Sequence, residues 1–172
     1  MLFLYHFSED PNITIFEPRF IEGREDPHPF VWAIDEEHSV NYFFPRDCPR
    51  IIYSRTERLN EDDKVRFFSN TSSKTVITVE SAWLERINQT TLYKYTFKDD
   101  SFDLMDEIAG YYVSKQPIIP LQVEPVVNMV EEILKRQVEL RFTPNLYALR
   151  NSIIGSTLDD FSIIRFRNAQ KP

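Results

Sequence analysis

The chain reads as an α+β protein with mixed, mostly antiparallel sheets and about four short helices. Short runs of β-branched and aromatic residues recur along its whole length, which is the composition of strands. Stretches with helical spacing or helix caps fall between them, and neighbouring runs are joined by segments too short for crossover helices. Only three glycines, all far apart, stand in 172 residues, so neither a phosphate loop of the Walker type nor a dinucleotide fingerprint can be built. With 42% hydrophobic and 14% aromatic residues and no Pro/Gly/Ser-rich linker, the expectation is a single domain over residues 1–172.

In chain order, residues 2–7 form a short apolar strand closed by the turn formers Ser8-Glu9-Asp10-Pro11-Asn12. Ile13, Ile15 and Phe16 then lead to Pro18 as a short extended or helical piece, and residues 20–29, with one glycine and two prolines, read as a loop of functional length. Phe30 to Ile34 is a second strand. Asp35 stands at an N-cap, and acids in the first turn suit the positive end of a helix, so a two-turn helix is expected up to the stop at Pro45. On such a helix His38 and Tyr42 share one face.

Residues 50–54 make a third strand, 56–73 a polar loop, and 75–79 a β-branched strand. Ser81 caps a helix over 82–87, and 92–97 alternates as a strand. Two more strands follow at 110–114 and 118–123, Pro117 confining their connection to an edge or a turn. Val126, Val127, Val130, Ile133 and Leu134 fall in one stripe, which predicts a helix over 126–137. Strand 138–142, a helix from Asn145 to about Ile154 with Gly155 at its exit, and strand 161–166 complete the order.

A formal charge of -7 repels a phosphate backbone at long range and argues against extended nucleic acid as a partner. One basic patch, Arg46, Arg50, Arg55 and Arg58, offsets this locally, while acids collect at Glu61-Asp62-Asp63, Asp99-Asp100 and Asp159-Asp160. No run reaches the roughly 18 apolar residues of a membrane span. A single cysteine cannot close an internal disulfide, and the apolar start lacks the basic residues of a secretory signal, so a cytoplasmic location is expected.

All three histidines (His6, His28 and His38) and Cys48 fall in the first 48 residues. His6, on an otherwise apolar strand, is a candidate donor or base; the alternative is an imidazole satisfied by a backbone carbonyl. His38 and Tyr42 form a second element, because a phenol donates to a ribose or phosphate oxygen and stacks on a planar ring. Arg46 and Arg50 have the guanidinium geometry for phosphate or carboxylate, and Cys48 between them is either an activated thiol or a small buried side chain. Without an HExxH string or cysteine pairs, no metal site is assigned.

Four strings carry a resemblance: Tyr5-His6-Phe7-Ser8-Glu9-Asp10-Pro11-Asn12-Ile13 with Phe16-Glu17-Pro18-Arg19; Val31-Trp32-Ala33-Ile34-Asp35-Glu36-Glu37-His38; Phe44-Pro45-Arg46-Asp47-Cys48-Pro49-Arg50; and Gly110-Tyr111-Tyr112-Val113-Ser114. Together they resemble a bacterial family of unknown function, DUF6886, which implies no activity. Tyr5-His6-Phe7-Ser8 is also similar to the first-strand string of the His-Tyr-Glu branch of the ADP-ribosyltransferase fold, which includes the poly(ADP-ribose) polymerases and, more loosely, the RNA 2'-phosphotransferases. That likeness implies a split sheet, NAD or another nucleotide as cofactor, His6 on the nicotinamide ribose and Tyr42 stacked on nicotinamide. The branch heads a later strand with glutamate, whereas the nearest string here begins at Gly110, with Glu107 three residues early and Glu80 on an earlier strand. Members of the fold without that glutamate work with basic residues, which implies Arg46 or Arg50.

These readings give a nucleotide- or NAD-handling transferase with His6, Tyr42 and Arg46 as catalytic residues and Ser8, His38 and Arg50 holding a small anionic ligand or nucleotide. One alternative is a non-catalytic module for a small anion or nucleotide. Another is an interaction protein whose aromatic surface comprises Phe67, Phe68 and the tyrosines between 93 and 112.

Overall fold

The β-branched and aromatic strings become strands and the capped polar stretches become short helices. The computed structural model describes residues 2–21 and 25–172; Met1, and Glu22, Gly23 and Arg24 of the 20–29 loop, lie outside the described residues. In chain order the elements are β1 (Phe3–Ser8), β2 (Val31–Ile34), β3 (Arg50–Ser54), α1 (Glu61–Phe68), β4 (Thr75–Glu80), α2 (Leu84–Gln89), β5 (Leu92–Lys98), β6 (Asp103–Asp106), β7 (Tyr111–Ser114), β8 (Gln122–Val126), α3 (Met129–Lys135), β9 (Glu139–Thr143), α4 (Tyr147–Ile154) and β10 (Phe161–Ile164). The class is α+β, with four α-helices and two sheets paired antiparallel except between β4 and β9. No helix among the described residues is long and apolar enough to cross a membrane.

The chain divides into two compact units, residues 1–43 with 91–127 and residues 44–90 with 128–172. The first holds an antiparallel sheet in the order β6-β7-β2-β1-β5-β8. Leu4, Val31, Ala33, Tyr95 and Phe97 cover one face of it, and the segment after β1 lays Phe16 across them. Phe16 meets Tyr95 and Phe97 edge-to-face at 5.0 and 5.1 Å, contacts that each add about 1 kcal/mol to the burial of the rings. Tyr95 anchors that segment by donating to the Asp10 carbonyl at 2.6 Å.

The second unit carries the sheet β10-β3-β4-β9. Its core gathers Ile51, Tyr53, Phe67, Phe68, Val76 and Leu146, with Tyr53 edge-on to both phenylalanines. Glu80, 2% exposed, accepts from the backbone N–H of Leu146 and of Gln170, so a buried carboxylate holds the start of α4 and the C-terminal tail to the end of β4. Charge divides unevenly. The first unit has 15 acidic against 5 basic residues, a formal charge of -10, and the second 15 basic against 12 acidic, +3.

Several element bounds depart from the expectations. The two-turn helix after Asp35 is a turn followed by one 3-10 turn, Ser39–Tyr42: Asp35 accepts from His38 N as a cap does, but the backbone closes by three-residue steps, Asn41 N to the His38 carbonyl and Phe43 N to the Val40 carbonyl. The polar loop 56–73 contains α1, which Asn60 caps by accepting from Asp63 N at 2.8 Å. Val126 extends β8 by pairing with Leu92, and Asn128 turns left-handed at φ 55°, so α3 starts at Met129. The strand expected over 118–123 reduces to a bridge from Ile118 to Phe16 before the ladder starts at Gln122.

Candidate functional site

The ladder between β1 and β2 is a single pair, Tyr5 with Ile34, although the same β1 runs six pairs along β5. Next to that pair, His6 Nδ1 stands 3.0 Å from the carbonyl of Trp32. A carbonyl only accepts, so Nδ1 carries the proton and Nε2 of the neutral ring is the acceptor nitrogen. His6 packs edge-on to Phe16 at 4.9 Å, on the face that carries the first unit's core. Ser8, two residues on, accepts from Asp10 N at 3.1 Å and shapes the turn after the strand.

Strand alternation sends Trp32, between the core residues Val31 and Ala33, to the opposite face, and likewise Tyr111 next to the core-packed Tyr112. There Trp32 and Tyr111 meet edge-to-face at 5.8 Å, and the hydroxyls of Tyr111 and Tyr42 are 2.7 Å apart. The turn that delivers Tyr42 is held from within: Asp35 Oδ1 accepts from both His38 N and His38 Nδ1 at 2.8 Å, and Oδ2 lies 3.0 Å from Nδ1. Ser39 Oγ donates to the Glu36 carbonyl at 2.8 Å. Burial and then a hydrogen bond to Glu36 push the Tyr5 phenol up, which ties the same turn to β1.

Gly110, at the head of β7, completes this arrangement. Its carbonyl accepts from Asp35 N at 3.1 Å and its φ is 68°. A Cβ there would lie 2.3 Å from His38 Nδ1 and 2.6 Å from Asp35 Oδ2. The head of the strand carries no acid of its own, and the space in front of it is filled by the carboxylate and imidazole of the β2 turn.

The arginines belong to the second unit. Arg50 is 3% exposed on β3, donates to the Cys48 carbonyl at 2.9 Å and lies over the Phe44 ring at 5.2 Å. Arg46 is exposed, in the turn before Cys48. Cys48 is fully buried, and burial, against the opposing pull of Arg50, pushes its thiol up to about 12. It is a packed side chain and not an activated nucleophile. Phe67 and Phe68, at 5% and 3% exposure, are core residues of the second unit and Tyr95 is buried in the first, so they drop out of the expected aromatic surface, whereas Tyr93, Tyr111 and Tyr112 are half-buried. Among the described residues, no group of three or more His, Cys, Asp or Glu side chains is placed to hold a metal ion.

The structure thus brings His38 and Tyr42 together with Asp35, Tyr111 and Gly110, and sets His6 and Ser8 on the other face of the same sheet, where β1 and β2 stop pairing. Sequence reasoning marked Asp35 only as a helix cap and Gly110 only as a missing acid. Their shared role has no local signal, since it depends on a contact far along the chain.

The chain belongs to a family of unknown function (DUF6886), whose model matches residues 5–169. No curated protein and no solved structure matches it.

Proposed function

We propose that the first unit binds the base–ribose end of a nucleotide of the NAD type on the sheet face that carries Tyr42 and Tyr111. The observation that carries this reading is the half-buried aromatic group of Trp32, Tyr42 and Tyr111, in which the hydroxyls of Tyr42 and Tyr111 stand 2.7 Å apart. His6 packs against Phe16 on the opposite, core face of the same sheet and is left out of this site. The aromatic rings supply stacking and two hydroxyls, the usual means of holding a planar base and a sugar.

Charge supports the orientation. A unit of formal charge -10 favours a pyridinium ring with its neutral ribose over a phosphate. Arg50 spends its guanidinium on Cys48 and Phe44, so the phosphate-holding part assigned to it on sequence grounds has no support in its contacts.

Thermal unfolding with NAD, nicotinamide mononucleotide, ADP-ribose and ADP tests the reading. The two nicotinamide ligands should raise Tm, by the equivalent of about 2.7 kcal/mol at a hundredfold excess over Kd. ADP alone should not, and Tyr42→Ala should weaken nicotinamide mononucleotide binding about tenfold, the loss of one stacking partner. Absence of any shift at millimolar NAD overturns it.

A second reading rests on the hydrogen bonds inside the 35–42 turn: the same residues serve only to fold it. In that case Tyr42→Phe and Asp35→Asn lower Tm of the protein alone and no ligand changes the difference.

A further inference from the structure

The geometry points to His38 as the proton-accepting group of the first unit's site, with Asp35 as its positioning residue and Gly110 as the space that the pair requires. The inference rests on the nucleotide reading for its substrate class, but it stands on separate observations.

Asp35 offers both carboxylate oxygens to Nδ1, at 2.8 and 3.0 Å. An acceptor on Nδ1 fixes the proton there, directs Nε2 outward as a base and stabilises the imidazolium formed when Nε2 takes a proton. Both side chains are 22% exposed, so the pair is shielded without being sealed from solvent. No hydrogen bond reaches Nε2 of His38 among the described residues.

A turn-closing role alone needs only Asp35 Oδ1 on His38 N. It needs neither the ring nor the second oxygen. It also gives no reason for β7 to present a bare backbone in the left-handed region directly against the pair, where a Cβ would fall 2.3 Å from Nδ1. The groups nearest the ring are the Asp35 carboxylate of its own turn and the bare backbone of Gly110.

Carbethoxylation of the intact protein by diethyl pyrocarbonate at about pH 8.5, where imidazoles are free bases and the rate reports the nucleophilicity of Nε2, followed residue by residue by mass spectrometry, tests the inference without a ligand. His38 is expected to label readily. Asp35→Asn should slow it several-fold, by freeing the ring to place its proton on Nε2, and Asp35→Glu should restore much of the rate, with exposed His28 as the internal reference. Gly110→Ala, which displaces the pair without touching either residue's chemistry, should slow His38 in the same way. An unchanged His38 rate in folded Asp35→Asn and Gly110→Ala proteins overturns the proposal. Repeating the labelling with NAD separates the two claims. Protection of His38 supports both, whereas Asp35-dependent labelling that NAD leaves unchanged keeps the proton acceptor and removes the nucleotide.

Discussion

Cys48 shows how burial decides the chemistry of a residue whose neighbours suggest the opposite. Two arginines flank it in the sequence, which favours a thiolate, yet full burial outweighs them and raises the thiol to about 12. Because the folded state holds the proton above the ordinary value of 9.0, its contribution is intact below pH 9 and is lost as pH climbs from there toward 12. Stability should fall more steeply in that window in the wild type than in Cys48→Ala, by about 1.4 kcal/mol per pH unit, in urea titrations at pH 8 to 11. Ellman's reagent should react with the wild type only at the rate of unfolding. Arg50 follows the same logic, since the cation that looked free for phosphate is spent on a backbone carbonyl and an aromatic ring inside the second unit. The residue types were legible in the sequence. Their use was not, because exposure is a property of what lies across the fold.

At the scale of elements, the clearest departure is α1, expected as part of a polar loop. Its signals are short-range: Asn60 caps Asp63 N, Glu61, Asp62 and Asp63 stand at the positive end, and Phe67 and Phe68 fall on the face that meets Tyr53. The apolar break Val65-Arg66-Phe67-Phe68 is plain in the sequence, but after four polar residues it makes no apolar stripe over two turns. Asn60→Ala should cost about 1 kcal/mol, read from the urea midpoint. Asp63 also accepts from Thr157 N and Thr157 Oγ at 2.7 Å, and these bonds hold its carboxyl below the usual carboxylate range. Its contribution is therefore present at neutral pH and is lost as pH falls through the lowered value. Asp63→Asn should flatten that part of the acid unfolding curve; an unchanged acid limb would show that the bonds to Thr157 do not act in solution. The turn after β2 stops short of a helix although Asp35 caps it in the same way, because its backbone closes in three-residue steps and Pro45 follows.

For the molecule as a whole, the division of charge makes a prediction that composition could not. A net charge of -7 spread evenly is ordinary, whereas -10 on one unit is a self-repulsion that salt screens. Between 0.05 and 0.5 M sodium chloride, ranges in which the screening length shrinks from beyond about 10 Å to a few ångströms, amide exchange in β1, β2, β5 and β7 should slow more than in β3 and β4. Equal slowing in both sheets would show that local ion pairs, not unit charge, govern stability. The sequence by itself determined the class, the strand-forming and most helix-forming stretches, the antiparallel bias and the concentration of histidines near β1 and β2, because these follow from side-chain period, propensity and capping between near neighbours. Only the tertiary structure decided that β4 and β9 run parallel, that the β1–β2 ladder stops after one pair, that Arg50 and Cys48 are buried, and that Asp35 and His38 fill the space before Gly110. Each of those depends on which distant backbone supplies the next hydrogen bond or excludes water, and no local pattern carries that information.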